Sequence, residues 1–301
     1  MKKYTDFAVE KACAVLGIGS PSGYTENAIA WLQQEFAALN VPTWKTVKGG
    51  LIADFGGSDV ENALLLEAHC DTLGGMVTEI KKNGRLRITN IGGMNANNAE
   101  AENAEIVTRS GKKYEGTLQL IDASLHVNGE YNNTLRGWDK MELVLDENVA
   151  SDEDVRALGI NVGDYVCFDP RTRVTASGYI KSRFLDDKLS VGILLGLAKY
   201  LKDENVTPSR RIYAHFTVYE EVGHGGSASV PAGVTEALVV DMGCVGEGLQ
   251  CTERQVSICA KDSSGPFCRE IVLKLIDAAE RPALITQWTS TPTTAATWPP
   301  P

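Results

Sequence analysis

The chain has 301 residues, 43% of them hydrophobic, and a formal net charge of −10. That length buries a sizeable core and accommodates one large domain or two smaller ones. The acidic balance argues against nucleic acid or an anionic membrane as the main partner, because both need a basic face, and it suits a protein that gathers carboxylates around cations.

The pattern at Met1-Lys2-Lys3 is basic, but Glu10 and Lys11 interrupt the next stretch, so no signal peptide is expected. No run reaches the roughly 18 apolar residues that span a bilayer. Seven cysteines sit singly, at 13, 70, 167, 244, 251, 259 and 268, with no Cys-x-x-Cys pair. They read as reduced thiols in a cytoplasmic protein rather than as disulfides or a thiolate zinc site.

Phe7, Ala8, Ala12, Val15 and Leu16 fall at helical spacing within 5–16. Gly17 to Gly23 is a loop of Gly, Ser and Pro. A second amphipathic helix is expected from about Thr25 to Leu39, with Ile29, Leu32, Phe36 and Leu39 on one face. Gly49-Gly50 marks a turn and Leu51 to Phe55 a short strand. Ala63 to Ala68, apolar except for Glu67, has the length of a buried strand.

From Met76 to about Asp169 short alternating segments replace helical periodicity. Lys82-Asn83-Gly84-Arg85 between alternating runs predicts a hairpin. Lys112 to Leu120 and Lys140 to Leu145 read as strands, and Ser151 to Leu158 as a short helix with Asp152 and Glu153 at its N-terminus. After Ser177 the α/β alternation resumes: a helix over 187–202, strands over 211–219, 237–240 and 257–260, and a helix over 269–280 with Ile271, Val272, Leu275 and Ile276 as its apolar face. This alternation implies a mostly parallel sheet flanked by helices. The domain expectation is an α/β domain from 1–72 and 176–281, an inserted small β-barrel-like domain at 73–175, and a separate tail at 282–301.

Four acidic or histidine positions come directly after strand-like runs or sit in tight turns: His69 and Asp71, Asp186 and Asp187, Glu220 and Glu221, and Asp241. In open α/β sheets ligands gather outside the carboxyl ends of strands. Asp, Glu and His clustered there suit zinc or a similar divalent ion. Singly each is weak. A histidine at a strand end is more often structural, Glu-Glu is usually a solvated edge, and Asp-Asp is usually a helix N-cap pair. Their order and context together are specific. Asp71 can bond one imidazole nitrogen of His69 while the other faces a metal. In Glu220-Glu221 one carboxylate can ligate while the other takes a proton from water. Asp186 can present its two oxygens to two metals.

Leu64-Leu-Leu-Glu-Ala-His-Cys-Asp71, Ser182-Arg-Phe-Leu-Asp-Asp-Lys188, Thr217-Val-Tyr-Glu-Glu-Val-Gly223 and Val239-Val-Asp-Met-Gly243 resemble, in order, the metal motifs of the tetrahedral and glutamyl aminopeptidases. Lys261-Asp-Ser-Ser-Gly-Pro266 resembles that family's substrate-side loop. The resemblance covers about residues 5 to 281 and implies a zinc-peptidase-like fold. It implies two divalent ions per subunit, zinc with cobalt or manganese as alternatives. His69 and Asp241 would bind one ion and Glu221 the other, with Asp186 bridging, Glu220 as general base and Asp71 orienting His69. It further implies peptide substrates, cleavage at a free N-terminus and a homo-oligomer in intact members. Cys70, Thr72-Leu73-Gly74 and His224 depart from the family's usual residues, which bears on substrate preference. A two-zinc deacylase or carboxypeptidase shares nearly the same ligands and is the alternative within hydrolases.

The family's second metal also needs a histidine near the C-terminus, whereas the histidines here are 69, 126, 215 and 224. The stretch after Arg281 is rich in Thr and Pro and lacks periodicity, so it reads as disordered. Shifted by one base it reads differently. Trp288-Thr289, encoded TGG-ACN, contains GAC for Asp, and the stretch as a whole permits Ile-Asp-Tyr-Ala-Val-Asp-Ile-Tyr-Pro-Tyr-Tyr-Gly-Ser-Asp-Val-Ala, which resembles the family's segment at this place. The expectation is a frameshift near Arg281. A chain lacking one ligand is expected to be impaired or catalytically dead.

Overall fold

The computed structural model describes residues 1–249 and 251–281. It divides into two compact units, 1–240 and a second beginning at Asp241. The tail at 282–301, with the frameshift reading, lies outside the described residues.

The first unit opens with α1 (Lys2–Leu16) and α2 (Glu26–Ala38), then β1 (Thr43–Lys45), β2 (Leu51–Gly56) and β3 (Asp59–His69). Both helices start within three residues of where the apolar spacing begins. Six strands then close a barrel: β4 (Gly74–Ile80), β5 (Leu86–Ile91), β6 (Asn103–Val107), β7 (Lys113–Leu120), β8 (Met141–Leu145) and β9 (Tyr165–Phe168), in the order β4-β5-β8-β7-β6-β9. The hairpin at Asn83-Gly84 joins β4 to β5, with Gly84 at φ 79°. The short helix α3 (Asp152–Ala157) is stapled by a capping box. Ser151 Oγ accepts from the Asp154 N–H, and the Asp154 carboxylate accepts from the Ser151 N–H. A small ladder of β10 (Arg173–Val174) and β11 (Ile180–Lys181) leads to α4 (Leu185–Asp203), β12 (Arg210–Thr217) and β13 (Val234–Val239).

The main sheet has the order β1-β2-β12-β3-β13. It is mixed rather than mostly parallel. β12 and β13 run parallel to β3, while β2 pairs antiparallel with both β1 and β12. The tight turn between β1 and β2 leaves no room for a crossover, so that pair must be antiparallel. The long connections from β3 through the barrel and α4 permit the parallel ones. Over the expected strand 257–260 the described residues show one bridge position, Ser257, rather than a continuous strand, and a separate bridge joins Lys261 to Pro266.

Two cores result. Phe36, Phe55 and Phe216 pack ring to ring among Leu32, Leu51, Val191 and Leu195 beside the main sheet. Leu86, Ile106, Leu118, Leu143 and Val166 fill the barrel. Each fully buried side chain of this size stabilises the fold by about 1.5–3 kcal/mol. α1 meets α4 through small residues. A Cβ on Gly192 would lie 2.6 Å from the Ala8 carbonyl oxygen, so only glycine admits that approach. Lys188, buried in the same helix, donates to the Ile18 carbonyl, and burial pushes its ammonium down to about 8.

One ion cluster ties the barrel to the start of α4. The Glu102 carboxylate, 3% exposed, accepts from Arg183 at 2.6 Å and Arg171 at 2.6 Å. Burial opposes its charge, but the two guanidinium groups outweigh that and hold it below the usual carboxylate range. A lowered folded pKa stabilises the protein above the unfolded value of about 4.3, and that contribution is lost as pH falls through the folded pKa. Glu102→Gln should therefore lower the urea midpoint at neutral pH and flatten the acid limb of stability against pH. An unchanged acid limb would assign acid sensitivity elsewhere.

The second unit contains α5 (Arg269–Glu280), on which Ile271, Val272, Leu275 and Ile276 are the half-buried face. In its 261–266 turn the Asp262 carboxylate accepts from the backbone N–H groups of Ser264 and Gly265. All seven cysteines are free thiols. Among the described residues no helix is long and apolar enough to cross a membrane.

Candidate metal centre

β3 and β12 lie side by side in parallel, with His69 opposite Thr217. The segments leaving these two strands therefore emerge at the same carboxyl edge: Cys70-Asp71 from β3, Glu220-Glu221 from β12. α4 supplies the third component. Phe184 takes a left-handed conformation at φ 62°, and Asp186 and Asp187 are non-helical at the start of α4, joined by a cis peptide bond. The two aspartates lie in different surroundings. Asp186 is 57% exposed at its side chain, whereas Asp187 is fully buried and accepts the His69 backbone N–H at 3.1 Å.

His69 is 2% exposed. Its Nδ1 lies 2.9 Å from the Asp71 main-chain carbonyl oxygen, which can only accept, so Nδ1 carries the proton. Nε2 is then the nitrogen turned to the edge, 2.9 Å from Asp186 Oδ1 and 3.6 Å from Glu220 Oε2. Burial opposes charge on this imidazole, but the Asp186 and Asp71 carboxylates prevail and push it up to about 12.

Asp71 orients His69 mainly through its backbone. Its carboxylate stands 3.5 Å from Nδ1 and is engaged elsewhere. Oδ1 accepts the Glu220 N–H at 3.2 Å, while Oδ2 accepts the Glu221 N–H at 3.3 Å and the Ser22 hydroxyl. Fully buried, it splints the turn that presents the two glutamates.

That turn is one 3-10 turn, Glu220–Val222, ended by Gly223 at φ 87°. Both of its carboxylates come near the His69 imidazole. Burial raises the Glu221 carboxyl to about 8, and the Asp186 carboxylate adds to the effect. The barrel closes in here as well: a Cβ on Gly92 would sit 3.1 Å from the Glu221 carbonyl oxygen.

The structure brings His69, Asp71, Asp186, Glu220 and Glu221 together. One ligand atom each from His69, Asp186 and Glu221 lies within 4.8 Å of the others, and an imidazole with two carboxylates is a donor set that fits a divalent cation. A cation would relieve the carboxylate crowding that raises Glu221. Asp241 opens the second unit, two residues beyond β13, where its carboxylate accepts the Met242 N–H at 2.6 Å. Sequence reasoning missed the roles of Asp187, Ser22 and Gly92. Asp187 was visible as half of an Asp-Asp pair, but Ser22 and Gly92 sit in loops whose composition carries no such signal.

A family model described as M42 glutamyl aminopeptidase matches residues 49–297. The putative aminopeptidase YhfE of Bacillus subtilis (strain 168) is 42% identical over 267 residues, 89% of this chain and 77% of that protein. The lysyl aminopeptidase of Pyrococcus furiosus is 26% identical over 179 residues, 60% of this chain and 49% of that protein. Among solved structures, the Pyrococcus horikoshii TET1 peptidase is 25% identical, with a TM-score of 0.78 over 91% of this chain and 81% of that one. With the strand-end cluster in place and most of its length matched, the chain belongs to the M42 glutamyl aminopeptidase family, a family of peptide hydrolases.

Proposed function

We propose that this chain removes N-terminal residues from peptides at a two-metal centre held by His69, Asp186, Glu221 and Asp241. The observation that carries the reading is the convergence of His69, Asp186 and Glu221 at the carboxyl edge, with Glu220 Oε2 only 3.6 Å from His69 Nε2. Asp241 joins the set by its place just after β13 and by the motif it belongs to. His69 and Asp241 would hold one ion and Glu221 the other, with Asp186 available to both. Divalent ions there, zinc by donor type with cobalt or manganese as substitutes, supply Lewis acidity for the attacking water and the scissile carbonyl.

The chain's own groups do the rest. Glu220, half exposed and not needed as a ligand, takes the proton of the attacking water and passes it to the leaving amine. Asp71 keeps the Glu220-Glu221 turn fixed, and its main-chain carbonyl keeps Nε2 of His69 free of a proton when it ligates. The barrel acts as an inserted domain, and free thiols suit a reducing cytoplasm. The TET1 peptidase of Pyrococcus horikoshii is described as assembling into a tetrahedron or a large octahedral shell. Its likeness supports a homo-oligomer here, which light scattering would measure.

The test is chelation and then zinc titration, with turnover of aminoacyl and N-acetylated peptides recorded together. Two bound ions are expected. Turnover should vanish on chelation, return as zinc fills the sites, and be confined to peptides with a free N-terminus. Residues released from the C-terminus, or turnover that survives chelation, would refute the reading.

A further inference from the structure

The loop after the Glu220-Glu221 turn is held from a distance. The β1–β2 turn is itself fixed. Thr46 N–H donates to the Gly50 carbonyl at 2.8 Å, Gly49 N–H to the Thr46 carbonyl at 3.0 Å, and a Cβ on Gly50 would lie 2.6 Å from the Phe216 carbonyl oxygen. From that turn Lys48 reaches across the carboxyl end of β12. Its ammonium donates to the His224 carbonyl, to His224 Nδ1 at 2.9 Å, to Ser227 Oγ at 3.2 Å and to the Gly225 carbonyl at 3.4 Å. An ammonium offers three N–H groups and no acceptor, so converging carbonyl, hydroxyl and imidazole acceptors are what it can hold together.

The clamped loop touches the catalytic turn directly. The His224 ring stacks on Tyr219 with centroids 5.0 Å apart and an 18° interplanar angle, and the His224 N–H donates to the Tyr219 carbonyl at 3.1 Å. A Cβ on Gly225 would lie 3.0 Å from Glu220 Cα and 2.8 Å from Thr217 Oγ1. Moving 224–227 therefore moves the backbone surface against which Glu220 rests. From the other side, Asp71 fixes the same turn through the N–H groups of Glu220 and Glu221.

We propose that Lys48 is a positioning residue for the reaction, holding the 224–227 loop against Glu220 so that its carboxylate keeps its place beside His69. Lys48 touches no reacting atom. Its effect falls on turnover rather than on substrate binding, because only the placement of the base changes. The inference rests on the aminopeptidase reading for its kinetic part and on geometry alone for its structural part.

The experiment compares the full chain with Lys48→Met and Lys48→Arg at saturating zinc, using an aminoacyl p-nitroanilide and backbone hydrogen exchange of residues 219–227. For Lys48→Met, kcat should fall about 10- to 100-fold, since an ångström of misplacement has that effect, with KM within about two-fold. Exchange over 219–227 should quicken, while bound zinc and melting temperature stay as in the parent. Lys48→Arg keeps the donors and should recover most of kcat. A Lys48→Met protein with parental exchange over 219–227 overturns the clamp, and one with parental kcat overturns the positioning role. A parent chain with no peptide turnover would sink the aminopeptidase reading alone, because exchange still decides whether the clamp exists.

Discussion

Glu220→Gln should cut peptide turnover by about 10²- to 10⁴-fold, the usual worth of a general base. Glutamine matches glutamate in shape but cannot accept a proton at its amide nitrogen. The backbone N–H of residue 220 would still reach Asp71 Oδ1, so the turn should hold. The side chain is half exposed, so no buried charge is lost and the melting temperature should change little. Glu220 is not in the proposed ligand set, so zinc affinity should stay within a few-fold. The comparison to make is kcat at saturating zinc alongside a zinc titration. Retention of a tenth or more of the parental kcat would remove Glu220 from the role of base, and loss of zinc with turnover would make it a ligand instead.

Asp71→Asn should damage stability and metal binding together. Both carboxylate oxygens are acceptors for the Glu220-Glu221 turn and its neighbour, one for the Glu220 N–H and the other for the Glu221 N–H and Ser22 hydroxyl. An asparagine keeps one acceptor oxygen and turns the other position into a donor. In a fully buried site an amide NH2 then faces a backbone N–H. The unmet donors should cost about 2–4 kcal/mol. The displaced turn carries Glu221, so zinc affinity should fall about 10- to 100-fold, as for other residues that hold a ligand in place. Ser22→Ala removes only one of three donors and should cost about 1 kcal/mol. A urea midpoint for Asp71→Asn equal to that of Ser22→Ala would show that Asp71 does not splint the turn.

These two residues differ in how far the sequence exposes them. Glu220 comes after an alternating run and stands beside a second glutamate, so a candidate pair of carboxylates was legible there. Asp71 was legible only as a partner of His69. Its carboxylate serves residues about 150 positions away, and no local pattern records such a contact. Lys48 is more extreme, since its acceptors lie 176 to 179 residues further along. Asp187 was visible but read as a helix cap, whereas the backbone before α4 turns it inward to His69.

By itself the sequence determined the features that depend on near neighbours. The spacing of Ile29, Leu32 and Phe36 sets α2, Asn83-Gly84 sets the first barrel hairpin, and apolar runs followed by His69, Glu220 or Asp241 mark strand ends that carry acidic or histidine side chains. These are legible because helix period, turn conformation and strand alternation act over a few residues. Only the tertiary structure decided the mixed strand order of the main sheet and the order in which the barrel strands pair. It also decided which oxygens of Asp71 meet which N–H groups and where Lys48 lands. Pairing and convergence of this kind are set by how distant segments close on one another, and that choice is made by burying Phe36, Phe55 and Phe216 in one core rather than by any single stretch of chain.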